Sequence, residues 1–297
     1  MAIPREVAAM RRAVALSAFG LGATSPNPPV GCVVLDAAGT VVGEGYHRRK
    51  GESHAEVNAL AAAGEDARGG TAVVTLEPCN HQGRTPPCRQ ALIDAGITRV
   101  VIALIDPTSR EEGGAARLQA AGVEVELGIL EDEARSVIGP WLSALKTRFP
   151  YVHWAYVANS DGDAPADSEP PPEQASFRAE ADATLTPDGR LEEGVLGAHS
   201  PDEFSLPPVV GTEPASWLAE LYDRGTRSLL LSGRSKLASA AVEEGLVDRI
   251  SLYVRRQPAS SRPIATEVEH LARVPTGFAV ASVSIVDRYV RLDLVRG

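Results

Sequence analysis

Four residues of types that serve in zinc chemistry occur at a spacing that suits catalysis. An imidazole and a carboxylate lie two residues apart at His54 and Glu56, and two thiols follow at Cys79 and Cys88. One histidine and two cysteines would leave the fourth tetrahedral position of a zinc ion open for water, which is typical of a catalytic site. Zinc lowers the pKa of such a water to about 7, and Glu56 would shuttle the protons. The sequence therefore predicts a hydrolytic zinc centre.

The elements that must position these residues form an alternating pattern over residues 1–148. It predicts strands at 30–36, 41–46, 71–75, 99–105 and 123–127, and helices at 54–63, 86–95, 114–121 and 131–146. The first two strands would pair as a hairpin and the later ones in parallel, in a sheet covered by helices. His54 and Cys88 would begin helices, whose N-termini favour thiolate. Cys79 would follow a strand, at the sheet edge where sites collect.

Composition is typical of a soluble protein of two domains. The chain has 297 residues, 44% of them hydrophobic and 23% charged. Its three cysteines are too few for a disulfide framework, which predicts a cytoplasmic location. The third, Cys32, falls in a predicted strand and is expected to be a core residue. Helical spacing of apolar residues from Val7 to Leu21 predicts an amphipathic helix, and no apolar run is long enough to span a membrane.

The acidic charge is concentrated in the second half of the chain. Residues 1–148 have 15 Lys and Arg against 17 Asp and Glu, whereas residues 149–297 have 14 against 22. Neither half has the basic stripe of a protein that binds nucleic acid. We therefore expect a small-molecule substrate, with neither nucleic acid nor membrane as a partner.

The segment between the two candidate cysteine ligands has a specific sequence. A His-x-Glu motif followed by Pro-Cys is typical of zinc deaminases, in which two residues separate the cysteines. Here eight residues, Asn-His-Gln-Gly-Arg-Thr-Pro-Pro, separate Cys79 from Cys88. The run from Thr75 to Cys88 resembles the deaminase domain of the bifunctional riboflavin-biosynthesis deaminase–reductases, as do residues 27–32, 43–47 and 54–60. The resemblance implies a cytidine-deaminase-like three-layer α/β/α domain.

The resemblance also implies a reaction and a set of site residues. The reaction is zinc-dependent hydrolysis of diaminohydroxyphosphoribosylaminopyrimidine to aminophosphoribosylaminouracil and ammonia. The implied zinc ligands are His54, Cys79 and Cys88, with Glu56 as general acid and base. The implied substrate-binding residues are Asn27, His47, His81 and Arg84. Asn27 offers a donor and an acceptor to a pyrimidine edge, and His81 or Arg84 would meet the phosphate.

Residues 149–297 resemble the reductase domain of the same family at 149–152, 158–162 and 229–254. Between these landmarks, residues 161–203 contain 12 acidic residues, 2 arginines and 6 prolines, which favours a loop over packed strands. Ser232-Gly233-Arg234-Ser235 stands where the family has a Gly-Gly pair, and the acidic charge would repel NADPH phosphates.

We therefore expect a smaller α/β domain, a reduced and degenerate dihydrofolate-reductase-like fold without NADPH binding or reductase activity. Its strands are predicted at 228–232, 249–254, 278–285 and 289–295. Its role would be oligomerisation, into a homodimer or homotetramer, or support of the deaminase domain, and a separate protein would supply the reductase step.

Two other functions stay open. The family has Asn after Asp-Pro, whereas this chain has Asp106-Pro107-Thr108 and a shorter loop, which admits a different aminopyrimidine or aminopurine as substrate. A non-catalytic zinc scaffold or regulator is the second alternative. The presence of Glu56 argues against it, because a structural site needs no proton shuttle.

Overall fold

The structure, a computed structural model, describes residues 2–80, 87–109, 113–158, 169–199, 204–207, 211–255 and 274–297. The chain divides into two compact units, Met1–Gly139 and Pro140–Gly297. The helix Glu131–Thr147 runs across this division, and the predicted boundary between residues 148 and 149 falls just after that helix. Among the described helices, none is both long and apolar enough to cross a bilayer.

The first unit alternates strands and helices as its sequence pattern predicts. Its described strands are β1 Gly31–Leu35, β2 Val41–Tyr46, β3 Thr71–Leu76, β4 Arg99–Leu104 and β5 Glu124–Leu127. Its described helices are α1 Pro4–Ser17, α2 Ala55–Ala63, α3 Cys88–Asp94, α4 Gly113–Ala120 and α5 Glu131–Thr147, with short 3-10 turns at Ala18–Gly20 and Gly64–Ala67. The sheet order is β2-β1-β3-β4-β5. β1 is antiparallel to β2 and β3, whereas β3, β4 and β5 run parallel.

Helices cover both faces of this sheet and approach it closely at glycines. A Cβ on Gly31 of β1 would lie 2.0 Å from the Ala13 carbonyl oxygen of α1. On the other face, a Cβ on Gly45 of β2 would lie 2.4 Å from the Ala59 nitrogen of α2. These distances leave no space for a side chain, so the glycines set how near α1 and α2 approach the sheet. The three-layer α/β/α prediction is confirmed.

The second unit contains a mixed sheet, with seven strands in the described residues. They are β6 Tyr151–Ala158, β7 Ala183–Leu185, β8 Leu191–Glu193, β9 Ser228–Ser232, β10 Arg249–Arg255, β11 Phe278–Val286 and β12 Tyr289–Arg296. Its described helices are α6 Gln174–Glu180, α7 Pro214–Asp223 and α8 Lys236–Glu243. The order is β11-β12-β10-β6-β9-β7-β8. β10, β6, β9 and β7 run parallel, and the strands at both ends pair antiparallel.

The prediction of a loop over residues 161–203 is wrong for the part that the structure describes. α6, β7 and β8 lie there, and Phe177, Ala183 and Leu185 are buried. The acidic residues act as hydrogen-bond acceptors instead of keeping the segment in solvent. The buried carboxylate of Asp182 accepts bonds from the backbone nitrogens of Arg227 and Ser228, at 2.8 and 2.9 Å. The composition of the segment alone does not reveal these partners, because they lie more than forty residues away.

Candidate active site of the first unit

His54, Cys79 and Cys88 converge on one point of the first unit. One ligand atom from each residue lies within 4.8 Å of the other two. The His54 Nδ1 and Cys88 Sγ atoms are 3.2 Å apart, and the backbone nitrogen of Cys88 donates to Cys79 Sγ at 3.2 Å. One imidazole and two thiols are donors that zinc favours, and three of them leave a tetrahedral position open. The residues therefore fit the predicted zinc ion.

Each ligand stands at the end of an element. His54 is the N-cap residue of α2, but its side chain makes no capping hydrogen bond, so the imidazole is available to the site. Cys88 is the first residue of α3, whose N-terminal N–H groups face Cys79. The Arg89 nitrogen adds a bond to the Cys79 carbonyl oxygen at 3.4 Å. The N-terminus of α3 thus holds the loop that follows β3 and favours a thiolate there.

The two thiols differ in their affinity for a proton. The pKa of Cys79 is lowered, because hydrogen bonds from the Cys88 and His54 side chains outweigh the effect of burial. The pKa of Cys88 is raised, first by its hydrogen bond with Cys79 and then by burial. Without a metal the pair therefore retains a proton. Zinc requires both sulfurs as thiolates, so zinc binding releases it.

Glu56 lies in the first turn of α2 and is 4% exposed. Burial raises its pKa, while the charge of a protonated His54 acts in the opposite direction. A carboxyl group with a raised pKa exchanges protons more readily near neutral pH than an exposed one. Cys32 lies in the core at 0% exposure, as predicted, and burial followed by the charge of Glu56 raises the pKa of its thiol.

Asn27 and His47 lie together beside the ligand group. Asn27 Nδ2 is 3.2 Å from His47 Nε2, and His47 Nδ1 is 3.2 Å from the Ser53 carbonyl oxygen. Because a carbonyl only accepts, Nδ1 carries the proton and Nε2 accepts from Asn27. Burial lowers the pKa of His47 to about 4, so the ring is neutral. Its ring packs edge-on against His54, with centroids 5.1 Å apart.

The other two candidate substrate residues, His81 and Arg84, lie outside the described residues. Sequence reasoning gave no role to two side chains that brace the site. Asn58 Nδ2 donates to the carbonyl oxygens of Tyr46 and Ser53, at 2.9 and 3.2 Å. Glu77, which precedes Pro78, is buried at 6% exposure. Its position at the end of an apolar strand was the available signal, since a carboxylate there must find donors.

In the second unit, the turn after β9 is the segment where a reductase of this family would bind a nucleotide phosphate. The Gly233 nitrogen donates to the Ala155 carbonyl oxygen at 2.8 Å, and the Gly233 carbonyl oxygen accepts from Trp154 Nε1 at 2.6 Å. A Cβ on Gly233 would lie 2.9 Å from Pro187 Cγ. Ser235 Oγ accepts from the Ala238 nitrogen and caps α8. The N–H group of Gly233 is therefore bonded within the protein and is not free to bind a phosphate.

Comparison with known proteins identifies both units. The family model of the cytidine and deoxycytidylate deaminase zinc-binding region matches residues 5–104, and that of the RibD C-terminal domain matches residues 180–255. Riboflavin biosynthesis protein RibD of Mycobacterium tuberculosis is 38% identical over 272 residues, which is 78% of this chain and 80% of that protein. The chain belongs to the RibD family. Its first unit is a zinc-dependent deaminase domain.

Other RibD proteins support the same assignment. RibD of Escherichia coli is 51% identical over 154 residues, and this match spans 52% of the chain but only 42% of that relative. The crystal structure of a diaminohydroxyphosphoribosylaminopyrimidine deaminase/5-amino-6-(5-phosphoribosylamino)uracil reductase from Thermotoga maritima superimposes with a TM-score of 0.78 at 26% identity, and covers 99% of both chains. The cytidine-deaminase-like fold is thereby confirmed, together with the second α/β domain.

The expectation of a degenerate reductase domain is not supported. The RibD C-terminal model matches residues 180–255, which include part of the acidic segment 161–203 that was expected to depart from the family. The seven described strands form a continuous sheet around a buried apolar core. The buried apolar core specifies this fold, so departures in two short motifs do not abolish it. The Thermotoga maritima relative, which covers 99% of both chains, is named as a reductase as well as a deaminase.

Proposed function

We propose that this chain hydrolyses the ring amino group of diaminohydroxyphosphoribosylaminopyrimidine, giving aminophosphoribosylaminouracil and ammonia in riboflavin biosynthesis. The observation that carries the proposal is a buried carboxylate, Glu56, beside three convergent zinc-type ligands. The Thermotoga maritima relative is named as a deaminase of this pyrimidine, which supports this substrate. A zinc scaffold would have no use for Glu56, whose raised pKa suits proton transfer.

The residues divide the work as follows. His54, Cys79 and Cys88 would hold zinc, which when bound lowers the pKa of a water molecule to about 7. Glu56 takes a proton from the attacking water and delivers it to the ring nitrogen. It then takes the second proton of that water from the new hydroxyl group on the ring carbon and passes it to the departing amine, which leaves as ammonia. One water is consumed and one ammonia leaves, so the atoms balance.

Asn27 is proposed to bind the pyrimidine edge. Its Nδ2 atom is directed at His47, which leaves its carbonyl oxygen and second N–H to the substrate. His47 has both ring nitrogens bonded within the protein, so we assign it to orient Asn27. His81 and Arg84 remain predicted substrate contacts. A homodimer or homotetramer and a cytoplasmic location also remain predictions.

A single experiment tests the proposal. The purified, zinc-loaded protein is incubated with the pathway pyrimidine, and products are followed by mass spectrometry and ammonia release. We expect a mass increase of about one unit, since an NH group is replaced by oxygen. Comparable turnover of free aminopyrimidines or aminopurines would favour the alternative substrate, and zinc without turnover would favour the scaffold.

The same incubation with NADPH addresses the second domain. The N–H group of Gly233 is already bonded within the protein, and on this ground the absence of reductase activity stays a prediction. We expect NADPH to be neither bound at micromolar concentration nor oxidised. Reduction of the deaminated product would contradict this prediction and assign both steps to one chain.

A further inference from the structure

Glu77 lies between the loops that follow β3 and β4, at the edge of the first sheet where the candidate active site is located. Its backbone nitrogen donates to the Leu104 carbonyl oxygen at 2.8 Å, so Glu77 extends the pairing of β3 with β4 by one residue. Two residues later the chain reaches the ligand Cys79. Its side chain is almost fully buried. A buried carboxylate is costly unless donors surround it, so its partners indicate what it holds.

Among the described residues, the hydrogen-bond donors to the Glu77 carboxylate come from the chain that follows β4. Glu77 Oε2 accepts from Ser109 Oγ at 2.8 Å and from the Asp106 nitrogen at 3.3 Å. Its other oxygen, Oε1, accepts from the Ala115 nitrogen in the first turn of α4 at 2.9 Å. Within the described parts of the chain, no arginine or lysine forms an ion pair with Glu77. Among these described residues, the partial positive charge at the N-terminus of α4 compensates the negative charge of Glu77.

Two glycines allow α4 to approach this carboxylate. A Cβ on Gly113 would lie 2.6 Å from Glu77 Oε1, and a Cβ on Gly114 would lie 1.9 Å from the Pro78 carbonyl oxygen. The start of α4 is therefore packed directly on the Glu77-Pro78 segment. Any side chain at Gly114 would push the helix away from the backbone that leads to Cys79.

We propose that Glu77 is a positioning residue that fixes the loop 105–109 relative to Cys79 and thereby sets the width of the substrate site. In parallel sheets, the loops after neighbouring strands line the same edge, so loop 105–109 and the Cys79 loop face one substrate. The described hydrogen-bond partners of the Glu77 carboxylate do not include His54, Cys79 or Cys88. Ser109 is its partner in the loop. The inference deepens the proposed deaminase function and rests on it.

The test compares two variants in zinc-loaded protein. For Glu77→Gln we expect KM for the pathway pyrimidine to rise about tenfold, because a displaced loop loses binding contacts that the ground state and the transition state share. We expect kcat to change by less than about threefold and zinc to remain at about one per chain, because the ligands and Glu56 are retained. Ser109→Ala removes one of the donors and should raise KM in the same direction by a smaller factor. It also keeps the test available if Glu77→Gln fails to fold.

Glu6→Gln is the matched control. Glu6 is likewise buried and hydrogen bonded, but its partner Arg99 stands at the opposite end of β4 from Leu104. Glu6→Gln should leave KM unchanged. Hydrogen exchange adds a readout without substrate: amide exchange in residues 105–109 should accelerate in Glu77→Gln and not in Glu6→Gln.

The outcomes separate this inference from the proposed function. If wild-type protein turns over and both loop variants keep its KM, the inference is overturned. Loss of zinc in Glu77→Gln also overturns the inference, because the carboxylate would then support the metal site and not the loop 105–109. If wild-type protein releases no ammonia, the proposed function fails. Amide hydrogen exchange in residues 105–109 then becomes the test of the role of Glu77. Unchanged exchange in the loop overturns the inference, and faster exchange confined to the loop supports it.

Discussion

Individual residues of the site differ mainly in how the protein controls their protons. Burial raises the pKa of Glu56 and lowers that of His47, in each case favouring the uncharged form. Cys79 is held toward the thiolate by its neighbours. Glu56 can therefore transfer protons. His47 is an uncharged hydrogen-bond partner of Asn27, and Cys79 favours the thiolate form that binds a cation.

Glu56→Gln should abolish proton transfer while keeping zinc. The amide preserves the shape of the side chain but cannot accept and return a proton, so kcat should fall about 10²–10⁴-fold. Ammonia release and metal analysis on the same sample measure both quantities. Turnover within about threefold of wild type would contradict the assigned mechanism.

The three cysteines provide a second test at the residue scale. Cys88→Ala should lose zinc and activity, because it removes one of three converging ligand atoms. Cys32→Ala is the matched control, since Cys32 is buried in β1 outside the ligand group and should keep its zinc. Treatment with a chelator should likewise abolish wild-type turnover, and added zinc should restore it. Retention of zinc by Cys88→Ala would exclude Cys88 as a ligand.

At the scale of elements, the site depends on how closely helices approach the first sheet. α2 carries both His54 and Glu56, and it packs on β2 at Gly43 and Gly45. A Cβ on Gly45 would lie 2.5 Å from the Ala55 carbonyl oxygen, next to the ligand His54. The helix, and with it the ligand, is therefore positioned by the absence of side chains on β2.

Gly45→Ala should displace α2 and weaken zinc binding. Overpacking of this kind costs roughly 1–3 kcal/mol of unfolding free energy, measurable by urea denaturation, and the zinc dissociation constant should rise as well. Gly139→Ala in α5 is the control. A Cβ there meets nothing within 4 Å, so the change should be neutral or stabilise by up to about 1 kcal/mol. Equal effects of the two substitutions would contradict the packing argument.

The whole molecule has an uneven charge, with most of its excess of acid in the second half. Each unit nevertheless contains a carboxylate that is stabilised as an anion. In the first, burial of Glu6 is outweighed by hydrogen bonds from Arg99 and the Ile3 nitrogen, and its pKa is lowered. In the second, burial of Asp293 is outweighed by hydrogen bonds from Arg291, Arg249 and Ser251, which lower its pKa to about 2.

Stability should therefore decrease in acid. A carboxylate with a lowered folded pKa contributes stability that is complete above its unfolded pKa and is lost as the pH falls through the folded value. For Asp293 this window runs from the ordinary aspartate pKa of 3.8 down to about 2, and the contribution is about 2 kcal/mol. Asp293→Asn should lower the unfolding free energy at pH 7 and flatten its decline between pH 4 and 2. Urea denaturation across this range measures both, and an unchanged slope would contradict the assigned pKa.

The sequence by itself predicted three candidate zinc ligands, which the structure brings together, and the carboxylate Glu56, which it buries. It also predicted most of the strands, including β2 and β9 at their observed bounds. Zinc chemistry requires particular residue types at a characteristic spacing, and buried strands require apolar runs, so both leave a local pattern. Only the tertiary structure decided that α6, β7 and β8 pack into the second unit. The same holds for the hydrogen bond between His47 and Asn27 and for the bonds of Glu77 to the loop 105–109. Each of these depends on hydrogen bonds between residues distant in the chain, such as Asp182 with Arg227 and Glu77 with Ser109. Such pairs leave no periodicity in a single sequence, because the fold alone brings donor and acceptor together.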